Sequence, residues 1–248
     1  MSRLVVVTGG GRGIGAATAK LAAARGDRVV ISYLRDAAAA AAVVRSITDS
    51  GGRALAVQAD VSRESDVSRL FETVDRELGR PDVLVNNAGI VDLKARLDEM
   101  SAARLERMFA VNVIGSLLCA AAAVRRMSTA KGGAGGNIVN VSSAAARHGS
   151  PGEYVDYAAA KAAIDTLTIG LAKEVSLEGI RVNAVRPGVI ATELHASSGD
   201  AQRPERMAPS LPLRRPGTAE EVARAILWLA SDEASYCTGT ILDVAGGR

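Results

Sequence analysis

Tyr157 and Lys161 stand four residues apart in an alanine-rich stretch with helical character. On a helix that spacing leaves the two side chains about 40° apart around the axis, one turn above the other, so they share a face. A phenol beside a fixed ammonium is a usable acid/base pair. An unperturbed tyrosine titrates near pH ~10 and exchanges protons poorly at neutrality. A cation ~4 Å away, in an effective dielectric of ~20, contributes roughly 4 kcal/mol and would lower that pKa by about three units. The bland reading of any Tyr-x-x-x-Lys is a packed ring and a solvated amine, so the rest of the chain has to decide. Tyr154 offers no second pair, because Ala158 stands four residues on.

Upstream, Asn137-Ile-Val-Asn-Val141 reads as a buried strand that ends in Ser142 and Ser143 and runs into a Gly/Pro loop. Side chains alternate across a strand, so only one of those serines can face the same site as the tyrosine. Similar β-rich runs occur at Leu4–Thr8, Arg28–Tyr33, Ala54–Gln58, Val83–Asn86, Arg181–Arg186 and Thr240–Val244. Helical stretches lie between them, at about 14–25, 36–50, 63–78, 101–129, 155–178 and 218–231. Continuously apolar strands separated by helices call for a parallel sheet covered on both faces. Right-handed crossovers make that an α/β, doubly wound sheet with its ligand at the carboxyl ends of the strands. The 248 residues suit one such domain, and no repeat or linker divides them.

Composition narrows the functions. A net charge of +3 with interspersed signs gives no basic stripe for nucleic acid, and 3% aromatic residues leave no base-stacking platform. Uninterrupted apolar runs such as Leu117–Val124 are too short to cross a bilayer. The apolar segment near the N-terminus is too short for a signal peptide, so a cytoplasmic protein is expected. Cys119 and Cys237 lack CxxC spacing and nearby histidines, and read as small packed residues instead of a disulfide or a metal site.

The first strand runs into Thr8-Gly9-Gly10-Gly11-Arg12-Gly13-Ile14-Gly15. A glycine-dense turn that follows a strand and opens a helix presents backbone N–H groups and a helix dipole to a pyrophosphate. At the tip of the second strand an acidic side chain would hold a ribose 2′-hydroxyl and select NAD. That tip reads Ser32-Tyr33-Leu34-Arg35, and Asp36 beyond it is better suited to capping the next helix. With Arg12 and Arg35 near the ribose, a 2′-phosphate is expected, hence NADP(H) in preference to NAD(H).

Taken together, these residues resemble the short-chain dehydrogenases/reductases over essentially the whole chain. The resemblance rests on Thr8 to Gly15, Asp60-Val61, Asn86-Asn-Ala-Gly89, Asn112, Ser143, Tyr157-Ala-Ala-Ala-Lys161, Pro187-Gly188 with Thr192, and Val244-Ala-Gly-Gly247. It implies a Rossmann-type fold and an NAD(P)-dependent oxidoreductase. Tyr157 would be the general acid in reduction and the base in oxidation. Lys161 would lower its pKa and bind the nicotinamide ribose. Ser143, rather than Ser142, would hold the substrate oxygen. Asn112 would bind a water linking Lys161 to solvent. The resemblance places Gly9, Arg12, Gly13, Ile14 and Gly15 at the pyrophosphate, with Ser32, Tyr33 and Arg35 at the adenosine ribose. Asp60 and Val61 would meet the adenine. Asn87, Ala88 and Gly89 would lie beside the adenosine ribose and the nicotinamide half, while Pro187, Gly188, Ile190 and Thr192 would fix the carboxamide.

Residues 193–215, with Pro204, Pro209 and Pro212, read as a variable lid over the pocket. His195 lies in it and His148 in the loop after Ser143, neither with an identifiable partner. No carboxylate clamp or metal cluster is readable, so the substrate is a carbonyl or secondary alcohol. Family relatives include 3-oxoacyl-[acyl-carrier-protein] reductases and sugar or polyol dehydrogenases. Arg125, Arg126 and Lys131 are the candidate patch for an acidic carrier protein. A non-catalytic dinucleotide-binding regulator is the rival class, disfavoured because the serine, tyrosine and lysine are all present. The family also implies a homo-oligomer, a tetramer joined through the helices at 101–129 and 155–178.

Overall fold

The computed structural model describes residues 2–194 and 198–248. Seven strands pair in parallel: β1 (Leu4–Val7), β2 (Arg28–Tyr33), β3 (Arg53–Gln58), β4 (Val83–Asn86), β5 (Gly136–Val141), β6 (Ile180–Pro187) and β7 (Ile241–Val244). Their order across the sheet is β3-β2-β1-β4-β5-β6-β7. The winding direction reverses between β1 and β4, which opens a crevice at the carboxyl ends of those two strands. The helices are α1 (Gly13–Ala24), α2 (Ala37–Asp49), α3 (Glu64–Leu78), α4 (Ala102–Phe109), α5 (Gly115–Met127), α6 (Ala145–His148), α7 (Val155–Val175), α8 (Arg203–Met207) and α9 (Ala219–Leu229).

Strand alternation divides the core in two. Val5, Val7, Val29 and Ile31 point to one face, where Ala16, Ala19, Val43, Ile47, Val222 and Ile226 cover them. Leu4, Val6, Val30 and Leu84 point to the other, under Leu70, Phe71, Cys119, Ala123 and Val175. Each fully buried side chain of this size contributes roughly 1.5–3 kcal/mol. Small residues on α1 and α5 let those helices lie close to the sheet. Cys119 is wholly buried, which pushes its thiol up to about 12 and leaves it unreactive.

Helix α4 continues through a π turn, Ala110–Ile114, into α5, so residues 102–127 form one continuous helix. By length and apolar composition alone it could cross a membrane, which the short uninterrupted runs had concealed. Here Met108, Cys119, Ala120, Ala123 and Met127 are buried on its inner side, as in a core helix. Of the segment 193–215, the described part forms α8 and a 3-10 turn at Ala208–Ser210. His195 lies outside the described residues.

Candidate active site

The end of β5 and the start of α7 bring the chemistry together. Lys161 is nearly fully buried, and its ammonium donates to the Val141 carbonyl at 2.7 Å, the last residue of β5. Its Nζ lies 5.6 Å from the centre of the Tyr157 ring. Ser143 stands beside the phenol, and its Oγ accepts from the Ala145 N–H at 3.1 Å. Ser142 faces away, its hydroxyl held by the Lys161 carbonyl at 3.1 Å. Of the two serines, Ser143 is the one whose hydroxyl lies beside the phenol.

The expected lowering of the tyrosine's pKa is not found. Burial pushes Tyr157 up to about 12, and the Ser143 hydroxyl draws it only partly back. The Lys161 ammonium, 5.6 Å from the ring centre and directed at a carbonyl, does not reverse that. Burial also brings Lys161 down to about 8, against a smaller upward pull from Asp165. Desolvation outweighs the pair's mutual effect.

The opening of α7 is fixed by a buried ion pair. Asp156 accepts from Arg104 Nε at 2.8 Å and Nη2 at 3.3 Å, and from the Tyr157 N–H at 2.9 Å. Arg104 also donates to the Leu93 carbonyl at 2.7 Å, which ties α4 and the loop after β4 to the tyrosine.

Asn112 sits in the π turn, fully buried. Its amide donates to the carbonyls of Ile90 and Met108, and its Oδ1 accepts from the Ile90 N–H at 3.1 Å. The side chain fastens the loop after β4 and does not itself line the cleft. A Cβ at Gly89 would lie 2.7 Å from Asn112 Oδ1 and 3.4 Å from Lys161 Nζ, so only glycine fits between them.

One cleft of about 660 Å³ runs from the tip of β2 to this centre. It is lined by Gly9, Arg12, Gly13, Ile14, Ser32, Tyr33, Arg35, Asp60, Val61, Asn87, Ala88, Gly89, Pro187, Gly188, Ile190 and Thr192, all expected. Gly15 is the exception. It is buried in α1, where a Cβ would lie 2.5 Å from Asn87 Nδ2 and 2.6 Å from the Gly9 carbonyl; its role is close packing, not ligand contact. Asn87 uses its amide on the Thr8 and Gly9 carbonyls, so it presents backbone to the cleft. Ser32 accepts from the Gly9 N–H at 3.2 Å and holds the glycine turn. Asp36 caps α2, accepting from the Ala39 N–H at 2.8 Å, and Arg12 and Arg35 stand exposed beside it at that end. A glycine turn that opens a helix, with two cations beside it, fits a dinucleotide.

Beyond Tyr157 the cleft continues to residues not recognised as site residues in the sequence: Tyr154, Arg203 and Arg248. His148 also lines it, and its Nδ1 accepts from the Ser150 N–H at 3.3 Å, so it has a partner after all. A strap of charges closes this end. Lys94 joins Glu153 (3.1 Å) to Asp200 (3.0 Å), and Arg203 grips Glu153 through both nitrogens at 2.9 and 2.6 Å. The carrier-protein patch is misplaced. Arg125 and Arg126 end α5 and Lys131 follows it, beside the start of β5. Ser143 lies beyond the other end of that six-residue strand, about 20 Å away. Arg126 is in addition paired with Asp75 at 2.7 Å.

Such a centre, a buried proton donor at one end of a dinucleotide cleft, is that of an oxidoreductase of alcohols and carbonyls. The chain matches the family described as Enoyl-(Acyl carrier protein) reductase over residues 9–248. The uncharacterized oxidoreductase YgfF of Escherichia coli (strain K12) is 51% identical over 245 residues, with 99% of both chains covered. A cis-4-hydroxycyclohexanecarboxylate dehydrogenase of Sinomonas cyclohexanicum is 45% identical over 99% of this chain and 96% of its own. Among solved structures, a blue fluorescent protein from a metagenomic library in complex with NADPH superposes with a TM-score of 0.89. It is 34% identical, over 99% of this chain and 97% of that one. The protein belongs to the short-chain dehydrogenase/reductase family and is an NAD(P)-dependent oxidoreductase of CH–OH and C=O groups.

Proposed function

We propose that the protein is an NADP(H)-dependent oxidoreductase of a carbonyl or secondary alcohol, with Tyr157 exchanging the proton. The observation that carries this reading is the meeting of Ser143, Tyr157 and Lys161 at the end of β5, in a cleft continuous with the glycine turn. When bound, the nicotinamide supplies or takes the hydride. Tyr157, with its pKa near 12, keeps its proton through neutral pH and can give it to an oxygen as negative charge develops there. The Ser143 hydroxyl donates to the same oxygen and stabilises that charge. Lys161, fixed by Val141, keeps a cation beside the phenol. Its proton path to solvent passes Asn112, and the missing side chain at Gly89 keeps the gap between them open. Arg12 and Arg35 favour the 2′-phosphate, in keeping with the NADPH held by the solved relative.

The strap from Lys94 to Arg203 supports a lid over the reacting end, where closure would exclude water. Exposed Phe109, Ile114, Leu117 and Ile169 support a homotetramer built through α4–α5 and α7. Two free thiols suit a cytoplasmic setting.

The test is the absorbance of the nicotinamide band with NADPH and then NADH, against a panel of ketones and aldehydes. Turnover preferring NADPH, abolished in Tyr157→Phe and shifted toward NADH in Arg12→Ala/Arg35→Ala, is the expected result. A preference for NADH in the parent protein refutes the cofactor assignment, and turnover surviving in Tyr157→Phe refutes the proton assignment.

A further inference from the structure

Arg248 is half-buried at the substrate end of the cleft. Its backbone N–H donates to the Ala245 carbonyl, whereas its guanidinium, among the described residues, bonds to the Met207 Sδ alone, 3.7 Å from Nη1; Glu153, the acid within its electrostatic reach, is ion-paired with Arg203. Arg203, by contrast, has both guanidinium nitrogens on Glu153. A guanidinium withdrawn from water without a directly bonded counter-charge is costly, and it is the side chain best shaped to receive a carboxylate.

Two neutral donors line the same cleft as Arg248. The Tyr154 hydroxyl is buried without a hydrogen-bond partner, although the residue lines the cleft and its ring lies under Arg203, 5.3 Å from the guanidinium carbon. A buried hydroxyl left unpaired is rare and destabilising. His148 accepts the Ser150 N–H at Nδ1, so its neutral ring carries the proton on Nε2. Burial and the nearby Arg248 both hold His148 below its ordinary pKa, which keeps the ring neutral and places the two residues within electrostatic reach. Ser150 sits in left-handed backbone (φ 45°) at the turn that brings His148 round. The local acids, Glu153 and Asp200, are already engaged by Lys94, Arg203 and Arg206.

We propose that Arg248, with Tyr154 and His148, forms an anion-binding subsite that receives a carboxylate carried by the substrate at the end remote from its reacting carbon. The substrate class is then a keto acid or hydroxy acid, an assignment that rests on the oxidoreductase reading above. Tyr157 and Ser143 hold the oxygen to be reduced, and Arg248 sets how far from it the carboxylate lies. The open guanidinium and the orphaned hydroxyl are both satisfied by one bound carboxylate.

Two measurements separate the subsite from the reaction. The first compares kcat/KM with NADPH for keto acids and for their methyl esters. An acid preference of roughly ten- to a hundred-fold is expected from a charge-assisted contact. The ratio should collapse toward one in Arg248→Met, be partly restored in Arg248→Lys, and shrink in Tyr154→Phe. Equal turnover of acid and ester in the parent protein, or an unchanged ratio in Arg248→Met, overturns the subsite while leaving the reductase reading intact. The second is calorimetric titration of cyclohexanecarboxylate and of the uncharged cyclohexanecarboxamide, with no turnover involved. Binding of the carboxylate at least about tenfold tighter, lost in Arg248→Met, supports the subsite even if no ketone is reduced. Equal binding of the two, or none by the carboxylate, overturns it.

Discussion

Raising the pH through 8 removes the proton from Lys161 in the free enzyme, and carbonyl reduction should weaken there, well before the phenol titrates. The ammonium lies 5.6 Å from the Tyr157 ring centre. In an effective dielectric of ~20, a charge at that distance is worth about 3 kcal/mol, or about two pKa units on the phenol. Without it Tyr157 is a weaker acid. The rate should fall about tenfold per pH unit above 8, toward a floor about a hundredfold down. Initial rates with NADPH and carbonyl both well below saturation report the free enzyme, so a series from pH 6 to 10 suffices. Tyr157, at about 12, adds no limb in that range. Lys161→Met should sit on the floor at every pH. Its fold should hold, for a physical reason. The folded pKa of Lys161 is depressed from 10.5 to about 8, so the buried charge opposes folding. That penalty is complete below pH 8 and is relieved as the pH rises toward 10.5, so removing the ammonium removes the penalty at neutrality. A parent plateau unbroken to pH 10, or a limb near 8 that survives in Lys161→Met, refutes the reasoning.

Other perturbations probe the framework. Asp156→Asn leaves Arg104, whose side chain is only 12% exposed, without its counter-charge, and should cost on the order of 3 kcal/mol in denaturant unfolding. Asp156→Asn/Arg104→Met should recover much of that loss, and a single variant as stable as the parent would remove the pair from the account. Gly89→Ala places a methyl 2.7 Å from Asn112 Oδ1 and should lower kcat about tenfold or more through displacement of the Lys161 neighbourhood. Unchanged kcat with unchanged thermal midpoint would mean the gap has no function. Glu153 is held at about 2, first by Arg203 and then by Lys94, so its ion pairs are complete above its ordinary 4.5 and fail only as the pH falls toward 2. Carbonyl KM should therefore not change through strap opening between pH 5 and 8, yet rise up to about fivefold in Glu153→Gln. A variant KM equal to the parent's would show that the strap does not shape the pocket.

What the sequence made legible was what repeats along it. Val5 and Val7 against Leu4 and Val6 announce a two-sided sheet by alternation alone, and the strands fall within a residue or two of expectation. Tyr157 and Lys161 share a helix face because helical periodicity fixes it over four residues. Asp36 was readable as a cap because the capping oxygen and its N–H donor belong to one short segment. Effects summed over the whole surroundings were not. The phenol's pKa depends on how much water the fold removes, and desolvation outweighed the lysine that a pairwise estimate had placed at ~4 Å. The amides of Asn87 and Asn112 are occupied by partners 79 and 22 residues away, so their structural duties had no local signature. Arg248 shows the same limit most clearly. In the sequence it is one basic residue among many, indistinguishable from a solvated one. Its environment is assembled from the loop after β5, the start of α7 and Met207, the last residue of α8. Its significance comes from what surrounds it: a neighbouring arginine already paired, a tyrosine hydroxyl left open, and a nearby acid, Glu153, that the other arginine already holds. Specificity in this fold is therefore written in long-range neighbours of the pocket, whereas the proton chemistry is written in one helix.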